Sequence, residues 1–600
     1  MEALIIFLPF ISFLAVGLLG RWLGDKLSAI ITSVTGVLSF LLSLSVLPHA
    51  LHQPFVIKLY DFLPFVSFGL YFDALSSLTT ALVTFVATLI FIYSIGYMHN
   101  LFGQWTFKFY SYLSLFLFAM LVIVLSDNLL GIFFGWEGVG LASYLLIGYF
   151  HTQKKASNAS LEAFVMNRVG DWLFIFGIIS AFYLFGSISL TDIFGKVSQV
   201  NASLLGFSAL LLFGGAVGKS GQIPLHTWLP NAMAGPTPVS ALLHAATMVA
   251  AGVYMVARLY PVFEHAPQSL KVIALVGGIT SLFAALAATS HTDMKKIIAF
   301  STMSQLGLMY LALGVGDKAG AMFHLTTHAF FKALLFLSAG SVISAFHHEV
   351  YDIYQAGGLK KYMPITYTSF IVGALALSGI FPLSGFFSKD RIIGSAYESG
   401  TIWGILASVV SLLTAYYIFR EAFVMFHGEK RYEHEPQESP GVMTYPMIVL
   451  SLMAIGSGLA EGWYGKALGS EKGLHLDVAI SSVLIGIAGI AIAYLVYAKG
   501  IIDHTKAYKA LKPIADTFRE QFYTEKLYHK IIAFGYLSLS RGVYIIMEWR
   551  FIDGAVNKTY QMAQFIGNSL RIFQNGKINY YNFVIYVGFT IILLLIISWR

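Results

Sequence analysis

Runs of about twenty apolar residues recur along this chain with almost no polar alternation, the length a helix needs to cross a hydrocarbon layer roughly 30 Å thick. They fall at 1–20, 28–48, 75–97, 110–126, 129–150, 163–186, 204–221, 238–258, 271–290, 297–315, 320–345, 364–382, 402–425, 441–463, 477–497 and 579–599. The pattern predicts about sixteen transmembrane segments, some of them halves of interrupted helices. Only helices and closed barrels satisfy backbone groups in lipid, and these runs are long and unalternating. The predicted class is therefore an all-α polytopic membrane protein. The first run reads as a span, because Glu2 stands where a cleaved leader carries basic residues and no small-x-small site follows.

Two stretches depart from the pattern. Segment 49–74, with its prolines and aromatics, reads as an external loop able to form a short hairpin. In 502–575 charges are interspersed, yet Ile545, Trp549, Ile552 and Val556 recur at helical spacing and mark an apolar stripe. A continuous helix over 523–573 would reach on the order of 75 Å. It is expected to lie along the membrane surface as a long lateral amphipathic helix, with 579–600 as a transmembrane anchor. The alternative, a span near 531–549, sets Arg541 at its centre.

Composition sharpens this picture. The chain is 57% hydrophobic and 11% charged, with a mean hydropathy of +0.74, whereas soluble domains carry about a quarter charged residues. It has no cysteine, which removes disulfides, cysteine-ligated iron–sulfur clusters, thiolate zinc sites and cysteine nucleophiles from consideration. The net charge of +7 suits loops beside an anionic lipid face and does not argue for nucleic acid. Arg21, Lys26, Lys108, Lys154 and Lys155 fall on one side of the first spans and Lys58 and Lys196 on the other. That excess places the amino terminus outside.

What remains to be explained is the set of charges inside apolar runs, each costing about 2.5–3.5 kcal/mol to insert at mid-bilayer. Glu137 lies within LLGIFFGWEGVGLASYLLIGYF, too deep for a carboxylate to reach bulk water. Lys219 ends an apolar helix where Gly218, Gly221 and Pro224 favour interruption, and Lys389 follows Pro382 and Gly385 in a second segment of the same grammar. Two glycine- and proline-broken helices, each with a lysine, suggest an internal repeat around polar cavities. Between them His324, His328 and Lys332 are spaced i, i+4, i+8, so they share one helix face with about 80° of drift over roughly 12 Å. That is a ladder suited to protons. A zinc reading lacks a third ligand and the glutamate of a HExxH helix, and haem has no motif to single out axial histidines.

His244, alone in an apolar helix, reads as structural in isolation and as a relay in the company of the lysines. Arg168 and Asp171, three residues apart, are positioned to pair on one face. Asp171 has a second candidate role, modulating Glu137. His291, Asp293, Lys295 and Lys296 form a polar cluster before a further span, for which a plain loop is the competing reading. Histidine exchanges protons near neutral pH unaided, lysine when burial lowers its pKa and glutamate when burial raises it. A Glu–Lys pair of variable separation is then a switch. Its coupling in a low dielectric is comparable with the roughly 2.3 kcal/mol per charge of a 100 mV membrane potential.

The Glu137 segment, GAVGKSGQIPLHTWLPNAMAGPTPVSALLHAATMVAAGVY, HTDMKKIIAFSTMSQLGLMYLALG, FHLTTHAFFKALLFLSAGS and SGFFSKD together resemble the antiporter-like membrane subunits of respiratory complex I. The match covers most of 60–425, and the lateral helix followed by one last span resembles the distal member of that set. The resemblance implies two inverted five-helix repeats with broken helices, about 110–290 and 297–425, after N-terminal helices in 1–109 and before additional helices in 441–497. It assigns Glu137 and Lys219 as a first-half pair, Lys332 as the central residue and Lys389 as the second-half lysine. His244, Lys295, His324 and His328 would lie on or near the connecting polar axis, with Asp171 an auxiliary acid.

The implied function is proton translocation as a membrane-arm subunit of an NADH:quinone oxidoreductase in a bacterial inner membrane. No cofactor or metal is expected in this chain. NADH, FMN, iron–sulfur clusters and quinone would be handled by other subunits, and the expected partners are lipid, protons, the sister subunits M and N, and subunit K. In that scheme protons load Lys219 from the cytoplasmic side, pass His244 and the His324/His328 ladder to Lys332, and leave through Lys389. The alternatives are an Mrp-type sodium/proton antiporter subunit, whose large chains continue further at the carboxyl end, a related hydrogenase or dehydrogenase membrane subunit, and a purely structural clamp.

Overall fold

The computed structural model describes residues 2–63, 66–348, 350–433, 435–470, 476–501 and 503–599. Among them, fifteen helices are long and apolar enough to cross a membrane. The boundaries follow local chemistry. Gly24, at φ 78°, breaks Leu4–His52 into the two expected runs. Asp73 caps Ala74–Tyr97 in a reciprocal box with Ser76, Asn128 caps Leu129–Ile147, and Asp293 caps Met294–Gly314. The loop after the first helix forms an antiparallel hairpin of Phe55–Leu63 and Val66–Phe72.

Two interrupted helices organise the interior. Ala202–Lys219 stops at Ser220, runs through a non-helical stretch containing Gly221 at φ 57° and Pro224, and resumes as Trp228–Asn231. Pro364–Ser378 ends at Gly379, φ 74°, and a second helix, Ser384–Ser399, follows after Pro382. The sequence pattern foresaw the second interruption but counted no segment after it. Ser384, Ser388, Lys389, Asp390 and Arg391 dilute that helix below the apolar density that marks a span, although they are buried. Unwound backbone at this depth is tolerated because protein surrounds it.

The chain forms two compact units, Met1–Phe522 and Tyr523–Arg600. In the first unit the Thr237–Ala245 and Met248–Arg258 helices are buried throughout, and Met294–Gly314 and Lys318–Ala345 nearly so. Helices screened from lipid on all sides are where polar groups can be kept. The short helices His504–Ala510 and Lys512–Arg519 belong to this unit. The second unit is a helix over 524–571, with wide turns at His529–Ala533 and Tyr544–Ile552, followed by Ile578–Ser598. At 1.5 Å per residue the 524–571 helix is roughly 70 Å long, far beyond one bilayer crossing.

Candidate functional site

The first cluster lies where Leu129–Ile147, Lys154–Phe185 and the first interrupted helix meet. Arg168 donates a short hydrogen bond to Glu137 and reaches Asp171 at 3.0 Å. Lys219 Nζ lies 3.8 Å from Asp171 Oδ1, which also accepts from the Trp136 indole at 2.8 Å. Glu137 and Lys219, expected as a pair of variable separation, are linked here by a chain of alternating charge, Glu137, Arg168, Asp171, Lys219. Glycines make the approach possible. A Cβ on Gly140 would stand 2.9 Å from both Arg168 Nη2 and Lys219 Nζ, and Gly170 packs on Gly218 at backbone contact, bringing Asp171 beside Lys219. Glu137 and Arg168 keep 29% of their side chains exposed, whereas Lys219 is sealed. Glu137 thus reaches the lateral surface of this chain while lying deep in its apolar run.

In the second half the cations sit on neutral partners. Lys332 Nζ donates to Ser301 Oγ at 2.6 Å and to the Ile298 carbonyl at 3.4 Å, and Tyr417 donates to the same Ser301 at 2.8 Å. Lys389 Nζ donates to the Leu377 carbonyl, 3.0 Å away, freed by the interruption. His324 meets Gln305 Oε1 at 3.1 Å and Ser388 Oγ at 2.9 Å. The rings of His324 and His328 are 6.2 Å apart, as the i, i+4 spacing requires. Gln305 donates to Thr414 at 3.5 Å, and the same Thr414 oxygen, 3.4 Å from the Tyr417 hydroxyl, is the alternative acceptor to Ser301 for that hydroxyl's one proton. A hydrogen-bond chain therefore runs from Lys332 through Ser301, Tyr417, Thr414, Gln305 and His324 to Ser388, the neighbour of Lys389. His324 adjoins the Lys389 end of this chain through Ser388.

Between the halves lie His244 and Lys295. His244 is fully buried against Phe336, and neither ring nitrogen has a hydrogen-bond partner. The cationic charges acting on it are those of Lys332 and Lys295. Lys295 is buried and donates to the Gly235 carbonyl at 2.7 Å. Beside it, outside the spans, His291 is pushed down to about 3 by burial and then by Lys296, Arg420 and Arg519, which keeps it neutral at physiological pH.

Sequence reasoning missed several groups. Asp317, Arg391 and Ser395 form a buried cluster with contacts of 2.9–3.2 Å, and Arg258 grips Asp73 at 2.6 and 2.9 Å. These pairs are fully engaged and brace the bundle. Glu421 is different: it is completely buried and neither carboxylate oxygen has a hydrogen-bond partner. The run LLTAYYIFREAFVMF carries the signal, a charge pair inside apolar sequence.

Residues 126–414 match the family described as NADH:quinone oxidoreductase/Mrp antiporter, transmembrane region, and 65–110 match the NADH-ubiquinone oxidoreductase (complex I) chain 5 N-terminus. The chain is 42% identical over 538 residues to the NADH-quinone oxidoreductase subunit L of Rickettsia bellii, covering 83% of each chain. It is 37% identical to the subunit L of Neisseria meningitidis serogroup A, covering 88% of this chain and 87% of that one. Its fold is similar to a chain of the Mrp complex from Dietzia sp., with a TM-score of 0.77 at 22% identity, over 95% of this chain and 63% of that one. A chain of an archaeal membrane-bound sulfane sulfur reductase aligns with a TM-score of 0.71, also at 22% identity, over 81% of this chain and 99% of that one.

Proposed function

The chain belongs to the antiporter-like membrane subunits of NADH:quinone oxidoreductase, and from that premise we propose that it translocates protons as the subunit L of such a complex. The observation that carries the reading is the buried succession of exchangeable groups from Lys219 past His244 to Lys332, His324 and Lys389. Keeping five lysines and histidines in helices screened from water is costly unless they work. Quinone reduction proceeds in other subunits, with NADH, FMN and iron–sulfur clusters bound there.

In this reading protons enter from the cytoplasmic side, load Lys219, and move by way of His244 to Lys332. The Ser301–Tyr417–Thr414–Gln305 chain and His328 carry them to His324, and Lys389 releases them. The alternating charges Glu137, Arg168, Asp171 and Lys219 set the timing: when Asp171 or Arg168 shifts, the field on Lys219 changes and its proton is held or let go. The two repeats are taken as 107–258 and 267–426, each with five helices of which the fourth is interrupted. This moves Pro267–Ser290 into the second repeat, where the earlier partition had it in the first. The amino terminus is outside, in a bacterial inner membrane, and the 524–571 helix runs along sister subunits M and N.

Lys219→Ala and Lys389→Ala in an assembled complex test the reading. Each is expected to lower the protons pumped per electron while NADH oxidation continues. Unchanged pumping in both variants overturns the assignment.

A further inference from the structure

We infer that Glu421 is a proton-carrying group of the second half, joining the rim at 288–293 to Lys332 through Tyr417 and Ser301. The inference deepens the proton-translocating reading and rests on it. Glu421 lies near the end of the Thr401–Phe426 helix, one turn beyond Tyr417 and on the same face. Its side chain is fully buried, and both carboxylate oxygens are without hydrogen-bond partners. A carboxylate left so is expensive to keep for packing alone, since a hydrocarbon side chain of similar size would avoid the desolvation cost.

The charges facing it are Arg420, Lys332 and Asp293, and Glu421 is the acid whose field acts most strongly on Lys332. Arg420, the first of these charges, makes no hydrogen bond to Glu421 and instead donates to the Ala288 carbonyl at 3.2 Å and to the His291 carbonyl. Glu421 is left to Lys332 as its one nearby exchangeable acid. The way between them is lined with hydroxyls: Tyr417 donates to Ser301 at 2.8 Å and Lys332 donates to the same oxygen at 2.6 Å.

The step balances without any redox partner. Glu421 and the Tyr417 hydroxyl, one helical turn apart, are not hydrogen-bonded in this structure, so the transfer begins with a rotation of the Glu421 side chain into reach of that hydroxyl. Protonated Glu421 then gives its proton to the Tyr417 oxygen, and Tyr417 passes its own hydroxyl proton to Ser301. Ser301 in turn protonates the neutral Lys332 amine. One proton has moved, and a carboxylate and an ammonium replace an acid and an amine. Reloading Glu421 from the 288–293 rim completes the cycle and gives Lys332 a supply that does not pass through Lys219.

The test uses the whole complex reconstituted in vesicles, comparing Glu421→Gln, Glu421→Asp, Tyr417→Phe and Lys332→Ala for protons pumped per electron, and recording turnover-induced infrared difference spectra. Glu421→Gln is expected to slow proton delivery to Lys332 on the order of a hundredfold, the low end for loss of a positioned proton-transfer group. It is also expected to remove a carboxylic C=O band present in the unaltered complex, and Glu421→Asp to restore part of both. Full pumping in Glu421→Gln with loss in Lys332→Ala overturns the inference and leaves the general reading standing. Full pumping in both overturns the reading itself. If Glu421→Gln does not assemble, Tyr417→Phe carries the test, since it keeps the ring packing, and undiminished pumping there overturns the inference.

Discussion

The two halves of the bundle solve the same problem, a cation sealed away from water, with different chemistry. Around Lys219 the solution is countercharge: Glu137, Arg168 and Asp171 alternate in sign up to the ammonium. Around Lys332 and Lys389 it is neutral dipoles, with Ser301, backbone carbonyls and, at one remove, Tyr417, Gln305 and His324. The difference sets what each site does when its proton leaves. A neutral Lys219 leaves Asp171 facing Arg168 alone, so deprotonation is coupled to where those side chains lie. A neutral Lys332 leaves no hydrogen-bonded carboxylate behind, only a hydroxyl and a carbonyl; the acid that acts on it, Glu421, does so through space. The first half is suited to being switched and the second to conducting.

This contrast breaks most visibly at Asp171. Asp171→Asn deletes the acid between two cations, and breaking a buried pair costs about 3–5 kcal/mol. A large fall in the thermal midpoint of the detergent-solubilised complex is expected, together with loss of proton pumping. Ser301→Ala is the matching probe in the second half. It removes one hydrogen bond to a charged group, worth about 1.5–3 kcal/mol, so the midpoint should fall less and pumping should be slowed but retained. If Ser301→Ala proves as damaging as Asp171→Asn, the distinction between countercharge and neutral dipoles fails.

The sequence was legible where lipid imposes a rule. Apolar length located the spans, Gly221 with Pro224 and Pro382 with Gly385 marked the interruptions, and the i, i+4, i+8 spacing put His324, His328 and Lys332 on one face. The Arg168–Asp171 pair was readable because it is local to one helix. That Asp171, and not Glu137, meets Lys219 depends on Gly170 packing against Gly218 across two helices, and no local pattern reports it. Ser301, Thr414 and Gln305 escaped notice because uncharged polar residues in a span raise no alarm in composition. Glu421 and Arg420 escaped because charges near the end of an apolar run are ordinarily taken to snorkel toward water. Here the end of the run is covered by protein.

Whether the two halves form one path is the central claim, and a double-mutant cycle on pumping rate tests it most directly. Lys219→Ala, Lys389→Ala and the double variant would be compared in one assembled complex at equal NADH oxidation. A single path predicts that the double variant pumps no more slowly than the worse single variant, a strongly non-additive cycle. Losses that multiply, each half acting as if the other were intact, would contradict it.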